Sequence, residues 1–129
     1  MLIEAAESSF MRGGCFVLAL WLHRRTKLPL YGLWDADTLH HAFVYDPATD
    51  TAYDARGAHH GLASVKLYRR QASAGIDVRP ATVAEVQECD TIAREQADMW
   101  GREAIPSPRV AAAYVKRNRS LAGLISHTV

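Results

Sequence analysis

The chain has no excess of charge of either sign: 15 Lys and Arg stand against 14 Asp and Glu, leaving +1 with neutral histidines. Without a broad positive field nothing holds a nucleic acid backbone or an anionic membrane surface, so neither is an expected partner. Cysteine is scarce. Cys15 heads an apolar run, while Cys89 lies in Glu-Val-Gln-Glu-Cys-Asp. A disulfide between them is the alternative, but one pair in a 129-residue chain able to bury its own core reads more naturally as two free thiols in a reducing compartment. Long apolar runs are missing as well. The longest, Cys15 to Leu22, is far shorter than the roughly 20 residues that span a bilayer. The opening Met-Leu-Ile-Glu-Ala-Ala-Glu is acidic where a signal peptide is basic and then apolar. Repeats, low-complexity tracts and linkers are absent from the pattern. What remains, with 49% hydrophobic residues, predicts one cytoplasmic α+β domain over residues 1–129.

Along that domain, residues 2–10 suit a short helix that Arg12-Gly13-Gly14 breaks with a sharp turn. From Cys15 to about Arg25, Val17, Leu18, Leu20, Trp21 and Leu22 nearly encircle a helix, which predicts a central element buried on most sides. Leu28 to Trp34 is β-rich behind a proline, and Asp35-Ala-Asp-Thr makes a turn. From His40 to Tyr45 the chain alternates, with His41, Phe43 and Tyr45 on one side and His40, Ala42 and Val44 on the other. Asp46-Pro-Ala-Thr-Asp50 turns the chain back into an antiparallel strand at Thr51–Asp54. Arg56 to Gly61 reads as a loop. Residues 62–71 fit helix or strand, with helix preferred, and residues 76–79 a short strand. Thr82 and Glu85 form a capping-box pattern for a helix ending near Trp100, before Gly101. A last helix starts with Ser107 as cap and Pro108 at its first position.

The chemistry concentrates in the first half. A thiol in the first turn of a helix faces unpaired amides and the positive end of the helix dipole, which favour thiolate, and a nearby imidazolium would add to this. Gly13 and Gly14 permit close approach of a substrate, and the Cys15 amide is a candidate oxyanion donor. His41 and Asp54, on adjacent antiparallel strands with a turn between them, are placed for the carboxylate to hold the imidazole from behind. His40 takes the base role if the strand face slips by one residue.

Gly-Gly-Cys-Phe-Val-Leu-Ala-Leu-Trp-Leu at 13–22, His-Ala-Phe-Val at 41–44 and Tyr-Asp-Ala-Arg-Gly at 53–57 together resemble the core of papain-like and transglutaminase-like thiol enzymes. The resemblance covers roughly residues 10–60 and lies in order and context. It implies a small core in which a central helix carrying the cysteine packs on an antiparallel sheet, followed here by C-terminal helices. It also implies Cys15 as nucleophile, His41 as base and Asp54 as orienter, attacking an amide or ester carbonyl without a cofactor. Peptidases, amidases, deamidases, transglutaminases and acyltransferases all share that step. Papain-like peptidases place a glutamine shortly before the nucleophile as second oxyanion donor, where this chain has Ser8-Ser9-Phe10-Met11-Arg12. Ser9 or a backbone amide has to serve instead. The small size of the chain implies a small substrate, or a partner protein that completes the site.

Other residues have plainer readings. Trp21, Trp34 and Trp100 read as core or cleft wall, with Trp34 the candidate for contact with substrate. Arg56, two residues past Asp54, is a candidate to bind a substrate carboxylate or to pair with Asp46 or Asp50. His59-His60 read as surface loop residues. A zinc site from His40, His59 and Asp46 lacks any recognisable ligand spacing, so no metal is expected. Cys89, among Glu85, Glu88 and Asp90, is disfavoured as a thiolate. The basic clusters at Lys66, Arg69 and Arg70 and at Lys116-Arg117-Asn118-Arg119 read as solvated faces. Two functions follow: a thiol hydrolase or acyltransferase acting on a peptide, protein or small amide or ester, or a noncatalytic protein-binding or inhibitory module on the same scaffold.

Overall fold

A computed structural model describes residues 3–11, 13–67 and 75–126. Arg12 of the expected break and residues 68–71 of the 62–71 segment, with Arg69 and Arg70, lie outside the described residues. Among the described residues the architecture is α+β, with six helices and five strands. Helix α1 (Ile3–Met11) leads through Gly13, at φ +95°, into α2 (Cys15–Thr26). Every residue of α2 from Cys15 to Leu20, and then Leu22 and Thr26, is buried, as expected for a helix with apolar side chains nearly all round. It stops at Lys27, whose left-handed conformation returns its amide to the His23 carbonyl.

The sheet that α2 packs on is wholly antiparallel: β1 (Leu30–Asp35), β2 (Thr38–Asp46), β3 (Thr51–Asp54), β4 (Gly57–His60) and β5 (Ile76–Pro80), in the order β4-β3-β2-β1-β5. Strand alternation divides the core in two. Ala42 and Val44 join the α2 cluster, which also holds Cys15, Phe10, Leu39, Ala55 and Tyr114. On the other face Leu33, Phe43, Ala52 and Ile76 pack with Val65 of α3 (Leu62–Leu67). Between Leu33 and Trp34 the β1–β2 register shifts, so that Leu33 faces His41 but Trp34 faces Leu39. The extra residue, His40, is a β-bulge, and it lets Leu39 and His41 leave opposite faces of the sheet although they are two apart.

Helix α4 (Val83–Met99) carries the full capping box, with Thr82 accepting from the Glu85 amide and Glu85 from the Thr82 amide. Ser107 caps α5 (Pro108–Arg117) as its sequence predicts. Three expectations are corrected. The loop expected after Arg56 contains β4. The last helix is two, because Asn118 adopts an extended conformation, donates to the Ala55 carbonyl and accepts from the Leu121 amide at the start of α6 (Arg119–Ser126). Trp100, expected in core or cleft wall, is 67% exposed. No helix among the described residues is long and apolar enough to cross a membrane.

Gly14 shows how tightly α2 is seated. A Cβ there would lie 2.6 Å from the Ser9 carbonyl oxygen and 3.1 Å from both Phe10 Cα and Pro106 Cδ. Two of these neighbours are backbone atoms, which cannot swing aside. Gly14→Ala is therefore expected to destabilise the chain by roughly 1–3 kcal/mol, read as a lower urea midpoint. An unchanged midpoint would show that the α1–α2 turn is loosely held.

Candidate active site

The densest polar cluster in the interior is built around Asp54, which is 2% exposed. Its position follows from the ladder. Val44 faces Tyr53, so Asp54 is next in line beside Phe43 and leaves the sheet on the α3 face. His41 shares that face: it sits opposite Leu33 and stacks on Phe43 with ring centroids 6.1 Å apart. Its Nε2 lies 3.0 Å from Asp54 Oδ2, and the imidazole is fully buried. His40 instead is half exposed, with Asp35 as its nearest carboxylate at 3.9 Å. Of the two adjacent histidines, His41 is the one paired with Asp54.

Asp54 holds two further partners. Arg56 donates from its backbone amide to Oδ1 at 2.9 Å and from Nη2 to Oδ2 at 2.6 Å, with Nε between the two oxygens. His59 Nε2 lies 2.9 Å from Oδ1. Burial alone would raise the Asp54 carboxyl, but the hydrogen bonds from His41, His59 and Arg56 outweigh it and hold the group far below the usual carboxylate range. An ionised carboxylate only accepts, so both histidines present Nε2–H to it. In neutral His41 the basic lone pair is then on Nδ1, the tautomer a general base needs when a carboxylate orients its far nitrogen.

Two expectations change here. His59 is not a surface residue: it is 6% exposed. Its burial was legible in principle, because a two-residue Ala55–Arg56 turn sets Gly57 opposite Asp54 and therefore His59 opposite Ala52, on the Asp54 face. Arg56 pairs with neither Asp46 nor Asp50. Asp46 accepts from the Ala48 amide and Asp50 from the Tyr45 hydroxyl, while the Arg56 guanidinium is engaged by Asp54.

Cys15 is the first residue of α2, 3% exposed and part of the α2-face cluster. Ala55, directly after Asp54, belongs to the same cluster, and its carbonyl is bound by the Tyr114 hydroxyl and Asn118. The turn after Asp54 thus joins the two faces. On its β2 side, strand β3 pairs with Val44, Tyr45 and Asp46, so the part of β2 carrying His41 extends beyond that ladder. His41, Asp54 and Arg56 form one hydrogen-bonded group, and the thiol stands at the helix terminus on the α2 side. Cys89 is different: burial, and then the charges of Glu88 and Glu85, push its thiol up.

The candidates for substrate contact are scattered. Gly14 is buried, and the room beside it is filled by Ser9, Phe10 and Pro106, so it serves packing at the turn where open approach to substrate was expected. The Ser9 hydroxyl donates to Glu103. Trp34 is 7% exposed, its ring lies under the Arg79 guanidinium at 5.0 Å, and it lines a cavity of about 630 Å³ with Phe16, Leu39, His40 and Cys89. A second cavity of about 610 Å³ is lined by Ser8, Ser9, Arg102 and Glu103. Both reach Gly13, just before the α2 terminus. The three imagined zinc ligands have separate partners, His40 with Asp35, His59 with Asp54 and Asp46 with Ala48, and among the described residues no group of three His, Cys, Asp or Glu side chains is arranged to hold a metal ion.

No family model matches the chain, and no curated protein or solved structure matches it.

Proposed function

We propose that the chain is a thiol-dependent hydrolase or acyltransferase in which Cys15 is the nucleophile, His41 the base and Asp54 the orienter. The observation that carries this reading is the buried His41–Asp54 hydrogen bond of 3.0 Å, because a carboxylate that accepts from Nε2–H selects the neutral tautomer whose lone pair is on Nδ1. A thiol in the first turn of a helix supplies the complementary half of the pair. The proposed reaction requires Cys15, in the α2-face cluster, and His41, on the Asp54 face of β2, to come within reach of the same carbonyl.

In the proposed reaction the Cys15 thiolate attacks an amide or ester carbonyl, and the Cys15 amide donates to the oxyanion. The His41 imidazolium gives its proton to the departing amine or alcohol. Water, or an acceptor amine, then gives a proton back to His41 as it attacks the acyl-cysteine. The two cavities beside Gly13 offer room for the two sides of the scissile group, and the substrate class is a peptide, a protein segment or a small amide or ester. Arg56, already engaged by Asp54, is not assigned to a substrate carboxylate. The noncatalytic reading, a protein-binding or inhibitory module, is favoured by one observation, the 3% exposure of Cys15, which requires the α1–α2 turn to yield before a carbonyl can reach the thiol.

An activated ester separates them. With p-nitrophenyl acetate, wild type should release one equivalent of nitrophenolate in a burst and carry acetyl on Cys15 by peptide mass spectrometry, and Cys15→Ser should give no burst. Absence of a burst in wild type, or equal acetylation of Cys15 and Cys89, would favour the binding module.

A further inference from the structure

Asp54 is shared by two histidines, and the second has no assigned role. We propose that His59 is a positioning residue for the same site: its Nε2–H holds Asp54 Oδ1, so that Oδ2 is presented to the Nε2–H of His41. This rests on the reading of His41 and Asp54 as base and orienter.

The argument comes from the two ends of the carboxylate. Oδ2 receives His41 at 3.0 Å and Arg56 Nη2 at 2.6 Å. Oδ1 receives His59 and the Arg56 backbone amide, each at 2.9 Å. Arg56 Nε straddles both oxygens at 3.3 and 3.2 Å. A carboxylate turns readily about its last bond, since that torsion is broad. The Arg56 side chain, attached two residues away and contacting both oxygens, does little to oppose such a turn. His59 does oppose it. It comes from a different strand, in a register fixed by the pairs Ala52–His59 and Tyr53–Ala58, and its ring is buried. Donors from β2, from β4 and from the Ala55–Arg56 turn thus converge on one carboxylate; without the β4 donor Oδ1 keeps only the Arg56 amide, from the same turn as Asp54, and the carboxylate twists more readily, which carries Oδ2 away from His41. A carboxylate displaced in this way no longer selects the His41 tautomer with Nδ1 as base. Neighbouring His60 cannot substitute, because it projects from the exposed face of the strand.

The test compares His59→Gln, whose amide N–H reaches about as far as Nε2, with His59→Leu, which keeps an apolar side chain of similar bulk and loses the donor. Two readouts are taken on 15N-labelled full-length protein: the His41 ring-nitrogen shifts, which report the tautomer, and the rate of Cys15 alkylation at neutral pH. Wild type and the Gln variant should show His41 as a single Nε2–H tautomer, and the Leu variant a mixture with slowed alkylation. A folded Leu variant with the wild-type tautomer and rate would overturn the proposal. Should the Leu variant not fold, a folded Gln variant with a mixed His41 tautomer overturns it, and one with the wild-type tautomer supports it. Failure of the thiol reading itself is seen separately, in wild type alone, as a Cys15 no more reactive than Cys89.

Discussion

Asp54→Asn is expected to lose roughly 3–5 kcal/mol of stability at neutral pH. The carboxylate accepts from His41 and Arg56 on one oxygen and from His59 and the Arg56 amide on the other. Asparagine offers one acceptor oxygen and one NH2, so whichever way it is turned, its amide hydrogens confront donors. The Arg56 guanidinium, 15% exposed, also loses its anion. Removing one partner of a buried ion pair costs far more than the pair contributed, because the remaining charge stays desolvated. The pH dependence follows from the depressed carboxyl. A group whose folded-state pKa lies below its unfolded value stabilises fully above the unfolded value, about 3.9 for aspartate, and the contribution is lost as pH falls through the folded value. The gap between wild type and Asp54→Asn should therefore be widest near pH 7 and narrow as the pH drops below about 4. Urea unfolding at neutral and acid pH checks both statements. A variant as stable as wild type would mean that the carboxylate is not the hub of the cluster.

The second large effect concerns selectivity between the two thiols. Burial and the charges of Glu88 and Glu85 suppress the Cys89 thiolate, whereas the proposed partner of Cys15 is an imidazolium held by Asp54. At pH 6.5 an ordinary cysteine is only about 1% thiolate, so a thiolate–imidazolium pair should react on the order of tenfold faster, after allowing for the lower nucleophilicity of a more acidic thiol. His41→Ala removes the imidazolium and should bring Cys15 close to an ordinary thiol, with Cys89 unaffected.

Much of the frame was legible because the relevant signals are local. The apolar wrap of Cys15 to Leu22, the Thr82–Glu85 capping box and the Ser107-Pro108 start each act within one or two turns. The parity that put His41 with Phe43 and Tyr45 was legible too, but which helix covers that face was not. Both faces of β2 are apolar, Ala42 and Val44 as much as Phe43, so alternation cannot say which one α2 takes. Gly57-Ala-His-His reads as loop by its composition, which is that of a turn. The strand forms there because Gly57 adopts φ +105° and because Asp54 gives His59 a buried partner, a tertiary contact. The break at Asn118 was hidden for a similar reason, since the carbonyl that draws its side chain belongs to Ala55, 63 residues earlier. Proximity in sequence offers Arg56 Asp46 and Asp50 as partners, but Asp54 is the buried carboxylate and takes the guanidinium.

The most direct test of the account is the pH dependence of iodoacetamide alkylation at Cys15 and Cys89, followed by peptide mass spectrometry in wild type and in His41→Ala. The account predicts that Cys15 stays reactive well below pH 8 in wild type, that His41→Ala moves its profile up to that of a free thiol, and that Cys89 reacts only at higher pH in both proteins. A Cys15 that is inert, or that follows the same profile with and without His41, would contradict the thiolate–imidazole pair and leave the binding-module reading in its place.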